Sequence, residues 1–221
     1  MGAPATQTDL TDALIAAHAH DATGWSKAAR QDALARLRSM GVPDRRDEYW
    51  KYTRPDTLTQ TPPPSAGILE TDEAPIFGDV DRLKIVFVDG TFDPDASDNL
   101  SLEGITVERL ATATSDLHWA RDLYGTLEKN GQIPVPRPLA ALNTALAKDG
   151  VLIHVTGKPS KPVSLIYRHM SETSDAILHH CIKLEPGTEL TILENGQAAA
   201  RFNEAMEIDV ADGAAFHHIR A

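Results

Sequence analysis

The sequence predicts an α+β chain that ends in a β-solenoid: a mainly helical domain over residues 1–148, then the first rungs of a solenoid over 149–221. Three observations predict it. Apolar residues recur three or four apart through much of the first part, as on one face of a helix. From Val151 the period changes to two, the period of a strand. Finally, a segment repeats at one constant offset: Ile182, Leu184, Gly187 and Leu190 fall on Ile208, Val210, Gly213 and Phe216. The offset is even and keeps each side chain on its own face, so like residues stack. Strand, glycine turn, strand at such a period is how a solenoid rung looks in sequence. Ile153 and Val155 fit an earlier, less regular copy that aligns them with Ile182 and Leu184. The same matches also suit a single antiparallel sheet of hairpins, an alternative that spacing leaves open.

The elements follow in order. Residues 9–22 are Ala-rich around Leu14 and Ile15 and form the first expected helix. A second is clearer: Trp25, Ala29, Ala33, Leu37 and Met40 share one face, with Arg30, Arg36 and Arg38 off it. Gly41 suits its C-cap and Pro43 stops it. Residues 59–75, with four prolines, Ser65 and Gly67, read as a linker. A short-strand segment near 82–107 holds Leu83–Val88, closed by an Asp89-Gly90 turn, and Ile105–Val107. Leu117, Ala120, Tyr124 and Leu127 then share a helical face. The proline-rich connector Ile133–Pro138 follows, and Pro138 opens a helix whose stripe is Leu139, Leu142 and Leu146, ended by Asp149-Gly150. Beyond it Ile153 and Val155, then Val163, Leu165 and Tyr167, alternate with other residues as strands do.

Composition narrows the function. The 221 residues carry 32 Asp+Glu against 21 Lys+Arg, a formal net charge of -11. Such a chain repels a phosphate backbone, so no nucleic-acid partner is expected. With Cys181 as the one cysteine, no intramolecular disulfide and no cysteine-rich metal site can form within the chain. No Walker-type phosphate loop occurs. The start of the chain lacks signal-peptide character, and no apolar run approaches the roughly 20 residues of a membrane span. A cytoplasmic protein with no membrane association is expected.

Residues that could carry chemistry fall in three clusters. Arg45, Arg46, Tyr49, Trp50, Lys51 and Tyr52 combine aromatic and basic groups. With Asp44, Asp47 and Glu48 cancelling the local charge, Trp50 and Tyr52 are expected to anchor the loop, and the arginines to stack on them or pair with the acids. His179, His180 and Cys181 stand in a row, and His217 and His218 form a second pair. Alternation sends His179 and Cys181 to one face of a strand and His180 to the other. Under the offset of the repeat His180 meets Met206, Cys181 meets Glu207 and His217 meets Thr191, so the two His pairs are not expected to converge. Neutral histidines filling strand positions are expected, with Cys181 pointing outward.

The segment Val42–Thr53 (VPDRRDEYWKYT), just after a helix, resembles the N-terminal signature of the SufB/SufD family, its SufD-type branch most of all. These are scaffold subunits of the SUF iron–sulfur cluster assembly machinery. Leu142–Ala145 leading through Asp149–Val155 resembles the passage into that family's β-structure, and His179–Glu194 and Met206–His218 are similar to its early rungs. The resemblance implies a right-handed parallel β-helix and a non-enzymatic scaffold. It also implies a SufB-like scaffold and a SufC-like ATPase as partners, with the iron–sulfur cluster assembled by the full complex and no cofactor held by this segment. Family members are longer, so residues 1–221 look like an N-terminal half. The later rungs, the SufC-binding helical domain and the cluster-associated histidine would lie beyond Ala221, and the open solenoid end is expected to self-associate. No catalytic, cofactor-binding or metal residue is carried over. The rival reading is a β-helix carbohydrate-active enzyme, a lyase or hydrolase that uses acidic groups to bind calcium or as paired acid and base.

Overall fold

Thr6 and Asp9 cap each other's backbone N–H groups and so start helix α1 (Gln7–His18). The Thr6 N–H lies 2.9 Å from the Asp9 carboxylate, and the Asp9 N–H lies 3.2 Å from Thr6 Oγ1. The computed structural model describes residues 5–21, 24–69 and 75–221. Helix α1 buries Leu14 and Ile15 against α2 (Lys27–Met40), which buries Ala33 and Leu37 and closes with the Gly41 N–H on Leu37 O at 2.8 Å. Arg30, off the expected apolar stripe, is nevertheless buried. It donates to Ser26 Oγ and to the Ala147 carbonyl and lies over the Tyr124 ring. A short α3 (Asp56–Thr59) takes in the first residue of the expected linker, in which residues 61–69 form no helix or strand. The linker's residues 70–74 and Ala22, at the end of the first expected helix, lie outside the described residues.

Among the described residues nine strands follow: β1 (Leu83–Val88), β2 (Thr91–Phe92), β3 (Ile105–Arg109), β4 (Val151–Val155), β5 (Val163–Arg168), β6 (Asp175–Leu184), β7 (Glu189–Asn195), β8 (Arg201–Val210) and β9 (Ala215–Arg220). They form a five-stranded sheet in the order β2-β1-β5-β7-β9 and a four-stranded sheet in the order β3-β4-β6-β8. Strands β1 and β2 pair antiparallel, as do β3 and β4, while every other neighbouring pair is parallel.

The solenoid expectation is corrected by this topology. The chain is an α/β fold with two mixed sheets, not a helical domain followed by β-helix rungs. The repeat itself is real at the level of register. Ile182 and Leu184 pair with Ile208 and Val210, Leu190 pairs with Phe216, and Ile153 and Val155 pair with Ile182 and Leu184. A fixed offset dictates which residues lie side by side in parallel neighbours. It does not dictate the architecture that those neighbours build, and two sheets with antiparallel strands at their start satisfy the same register. The parallel pairing also excludes the antiparallel hairpin sheet. Strands β1 and β3, from the 82–107 segment, pair with β5 and β4 and so belong to the same two sheets.

The helix expected over residues 117–127 is broken. A 3-10 turn at Trp119–Asp122 and α4 (Thr126–Asn130) flank Gly125, which sits at φ +74, and Leu117 is 85% exposed. A Cβ at Gly125 would lie 2.7 Å from Thr144 Cγ2. A glycine lets the chain turn there instead of continuing as a helix. Helix α5 (Pro138–Leu146) has proline in its first turn, as expected, and is buried along most of its length between α2 and the four-stranded sheet.

Two apolar cores result. One fills the space between the sheets, from Leu83, Ile85 and Phe87 to Leu184, Leu190 and Ile192. The other joins α1, α2 and α5 to the opposite face of the four-stranded sheet through Leu152, Ile177 and Cys181. Strand β6 is therefore covered on both faces, which explains its nearly unbroken burial. Among the described residues no helix is long and apolar enough to cross a membrane.

Candidate functional site

Successive residues of β6 serve opposite faces, and the row His179-His180-Cys181 divides accordingly. His179 and Cys181 face the helices with Glu207 of β8, whereas His180 faces the space between the sheets near Glu204 of β8. The alternation is as expected. The outward Cys181 is not: the residue is fully buried, because helices cover the face to which it points. Burial also raises the Cys181 thiol well above its ordinary range.

On the helix side, His179 Nδ1 lies 2.9 Å from Asn143 Oδ1, and Nε2 lies 3.0 Å from Glu207 Oε2. Glu207 also accepts the Gly125 N–H, and the Glu128 N–H at 2.9 Å. These bonds dock the turn around α4 onto the sheet. Burial pushes the Glu207 carboxyl up, but its bonds to His179 and to these N–H groups outweigh burial and hold it low. Burial lowers His179 more than Glu207 raises it. His179, Cys181 and Glu207 offer ligand atoms that all lie within 4.8 Å of one another, a thiol, an imidazole and a carboxylate.

Between the sheets lies a second polar group. Val151 N–H donates to His180 Nδ1 at 3.0 Å, so the proton of the neutral ring sits on Nε2. That nitrogen is 3.2 Å from Tyr167 Oη, which donates in turn to Glu204 Oε1 at 2.9 Å. Arg220 Nη1 bridges Glu204 (2.9 Å) and Glu194 (3.2 Å), and His218 Nε2 meets Glu194 at 2.6 Å. His180 and His218 thus approach one carboxylate pair from two sides without meeting each other, while His179 and His217 lie elsewhere. The link was hidden because Glu194 and Glu204 fall outside the matched positions of the repeat. Burial, then the charge of Glu204, raises Glu194. Burial also raises Glu204, but hydrogen bonding to His180 outweighs it and leaves Glu204 low. Of the two carboxyls, Glu194 is therefore the weaker acid. His217 is exposed and pairs with Thr191 in the ladder, as the offset predicts.

At the N-terminal end of β6, Asp175 binds His18 Nε2 at 2.8 Å and Arg201 through two nitrogens, and Arg201 Nη1 also reaches the Gln60 carbonyl at 2.6 Å. The neighbouring cleft of about 240 Å³ is mostly apolar, lined by Leu14, Leu58, Leu142, Ile177 and Phe202.

The 42–53 loop departs from expectation. Tyr52 is 91% exposed and Tyr49 is 70% exposed, so Tyr52 anchors nothing. Asp44 and Asp47 accept the Arg46 and Tyr49 backbone N–H groups instead of pairing with arginines, because turns claim short acidic side chains first. Arg45, Arg46 and Lys51 stand exposed beside them, with Lys51 over the Tyr52 ring. Trp50 is half-buried and walls a groove with Tyr49 and residues 135–140.

Comparison with known proteins brings no identification: no protein-family model matches the sequence, and no curated protein matches it.

Proposed function

We propose that this chain is a scaffold subunit of SUF-type iron–sulfur cluster assembly, catalysing nothing itself and working in the cytoplasm with a SufB-like scaffold and a SufC-like ATPase. The observation that carries the reading is the pair of outer strands β8 and β9. Each is hydrogen-bonded to a neighbouring strand on one side among the described residues, and they lie at the same end of the two sheets, joined by the Arg220–Glu204 bond. Outer strands offer unpaired N–H and C=O groups to another β-rich subunit, the interaction that pairs sheets across chains. The Val42–Thr53 segment supports the same reading, since its resemblance to the SufB/SufD family rests on residues that here include exposed Arg45, Tyr49, Lys51 and Tyr52.

In this reading the cluster is cargo of the complex, and the subunit transmits movement through a stiff body. The inter-sheet pair and the Asp175–Arg201 clasp would supply the stiffness, because buried hydrogen-bonded charges resist rearrangement. The test is co-expression of a tagged full-length gene product with SufB-like and SufC-like proteins of the same source. A complex that survives affinity and size-exclusion steps is expected. Recovery of the tagged protein alone contradicts the proposal.

A further inference from the structure

The amide of Asn143 has only one orientation available. Its Nδ2 faces three acceptors, the Leu178 and Asn203 carbonyls and Asn203 Oδ1, at 3.0 to 3.1 Å. Asn203 Oδ1 is itself an acceptor, because its Nδ2 donates to the Leu139 carbonyl at 2.9 Å. A flipped Asn143 amide would set oxygen against three oxygens. Asn143 Oδ1 therefore points at His179 Nδ1, and that nitrogen must carry a proton. His179 Nε2 is left facing Glu207 Oε2 at 3.0 Å, an oxygen that already accepts the Gly125 N–H. Two bare acceptors do not sit at that distance, so either a proton or a metal ion lies between them. Cys181 is the third buried group of the triad, its sulfur within 4.8 Å of the other two ligand atoms.

We propose that His179, Cys181 and Glu207 bind one divalent transition-metal ion of borderline softness, zinc(II) before others, between the four-stranded sheet and helix α5. Ligand atoms about 3–4 Å apart surround a tetrahedral zinc with metal–ligand bonds of about 2.0–2.3 Å; His179 Nε2 and Glu207 Oε2 already stand 3.0 Å apart, and the sulfur, within 4.8 Å of both, draws in as the ion binds. A thiolate and an imidazole disfavour calcium and magnesium, which take oxygen. Asn143 acts as the outer partner that fixes the ring, while the Gly125 and Glu128 N–H groups fix the carboxylate. On binding, Cys181 releases its thiol proton to solvent as the sulfur–metal bond forms, and water takes the fourth position. The inference stands independently of the scaffold reading.

The test uses tag-free full-length protein under reducing conditions. It is loaded with zinc(II) or cobalt(II) in the native state, and separately during refolding, then freed of loose metal. About one ion per chain is expected. Cobalt should give a thiolate-to-metal charge-transfer band with four-coordinate ligand-field bands. Cys181→Ser, nearly isosteric, should fold as judged by circular dichroism yet lose the charge-transfer band, and His179→Gln should lower metal content about tenfold. Folded wild type holding less than about a tenth of an ion per chain after both loadings would overturn the proposal and make His179 an imidazolium paired with Glu207. A cobalt spectrum unchanged in Cys181→Ser would overturn it too.

Discussion

Tyr167 Oη donates to Glu204 Oε1 at 2.9 Å, joining β5 of the five-stranded sheet to β8 of the other across an interior that is otherwise largely apolar. The phenol also lies 3.2 Å from His180 Nε2, whose tautomer is fixed by Val151 N–H. A polar tie at this depth holds the two sheets in one relative position as well as adding stability.

Tyr167→Phe removes that tie and keeps the ring. A loss of about 1–2 kcal/mol in urea unfolding is expected, with the denaturant slope unchanged. A variant as stable as wild type would mean that the bond contributes nothing net.

The Glu194–Glu204 pair gives stability a pH dependence of defined sign. Glu194, raised by burial and by Glu204, contributes stability at acid pH that is lost as pH rises through its elevated value. Glu204, lowered chiefly through His180, contributes above its ordinary range and loses that contribution in strong acid. Glu194→Gln keeps the shape and ends the first titration. Stability equal to or above wild type is expected near neutral pH, with a flatter profile above the ordinary carboxyl range of about pH 4. Parallel profiles for the two proteins in a pH series of denaturant melts would contradict the upward shift of the Glu194 carboxyl.

Asp175 is pushed up by burial, but hydrogen bonds from Arg201 and His18 prevail and bring it down to about 2. Its stabilisation is therefore full above the ordinary carboxyl range and disappears as pH falls through that lowered value. Asp175→Asn leaves Arg201 poorly matched in a buried site. It is expected to cost about 2–4 kcal/mol near neutral pH and progressively less in acid. A constant difference across pH, read by urea unfolding, would count against the clasp.

Gly150→Ala should be among the most damaging small substitutions. Gly150 has φ +156, and a Cβ there would overlap the His179 carbonyl oxygen. The strands must part, at a cost of about 3 kcal/mol or more. A thermal melt of the variant checks this, and an unchanged midpoint would contradict the close approach.

Much of the strand arrangement was legible in the sequence because parallel neighbours inherit fixed offsets. One offset sets both β6 against β8 and β7 against β9, and a slightly longer one sets β4 against β6. Helices α2 and α5 were legible through Gly41 and Pro138. The fold class was not, since one register is compatible with several sheet architectures. Nor was Cys181: alternation sorts residues onto two faces, but only the helices packed on β6 reveal that both are covered. The Gly125 break was hidden because Leu117, Ala120, Tyr124 and Leu127 keep helical spacing across a glycine at positive φ. The inter-sheet cluster escaped because its carboxylates, from β7 and β8, lie outside the matched positions of the repeat and pair in the ladders with apolar residues, Leu165 and Leu178.

The scaffold reading is tested most directly by amide hydrogen exchange along β8 and β9 with and without a SufB-like partner. Slowed exchange confined to Arg201–Val210 and Ala215–Arg220, with β1 and β5 unaffected, is the expected result. Unchanged exchange in both outer strands at partner concentrations that saturate the complex would contradict the claim that these strands form the pairing surface.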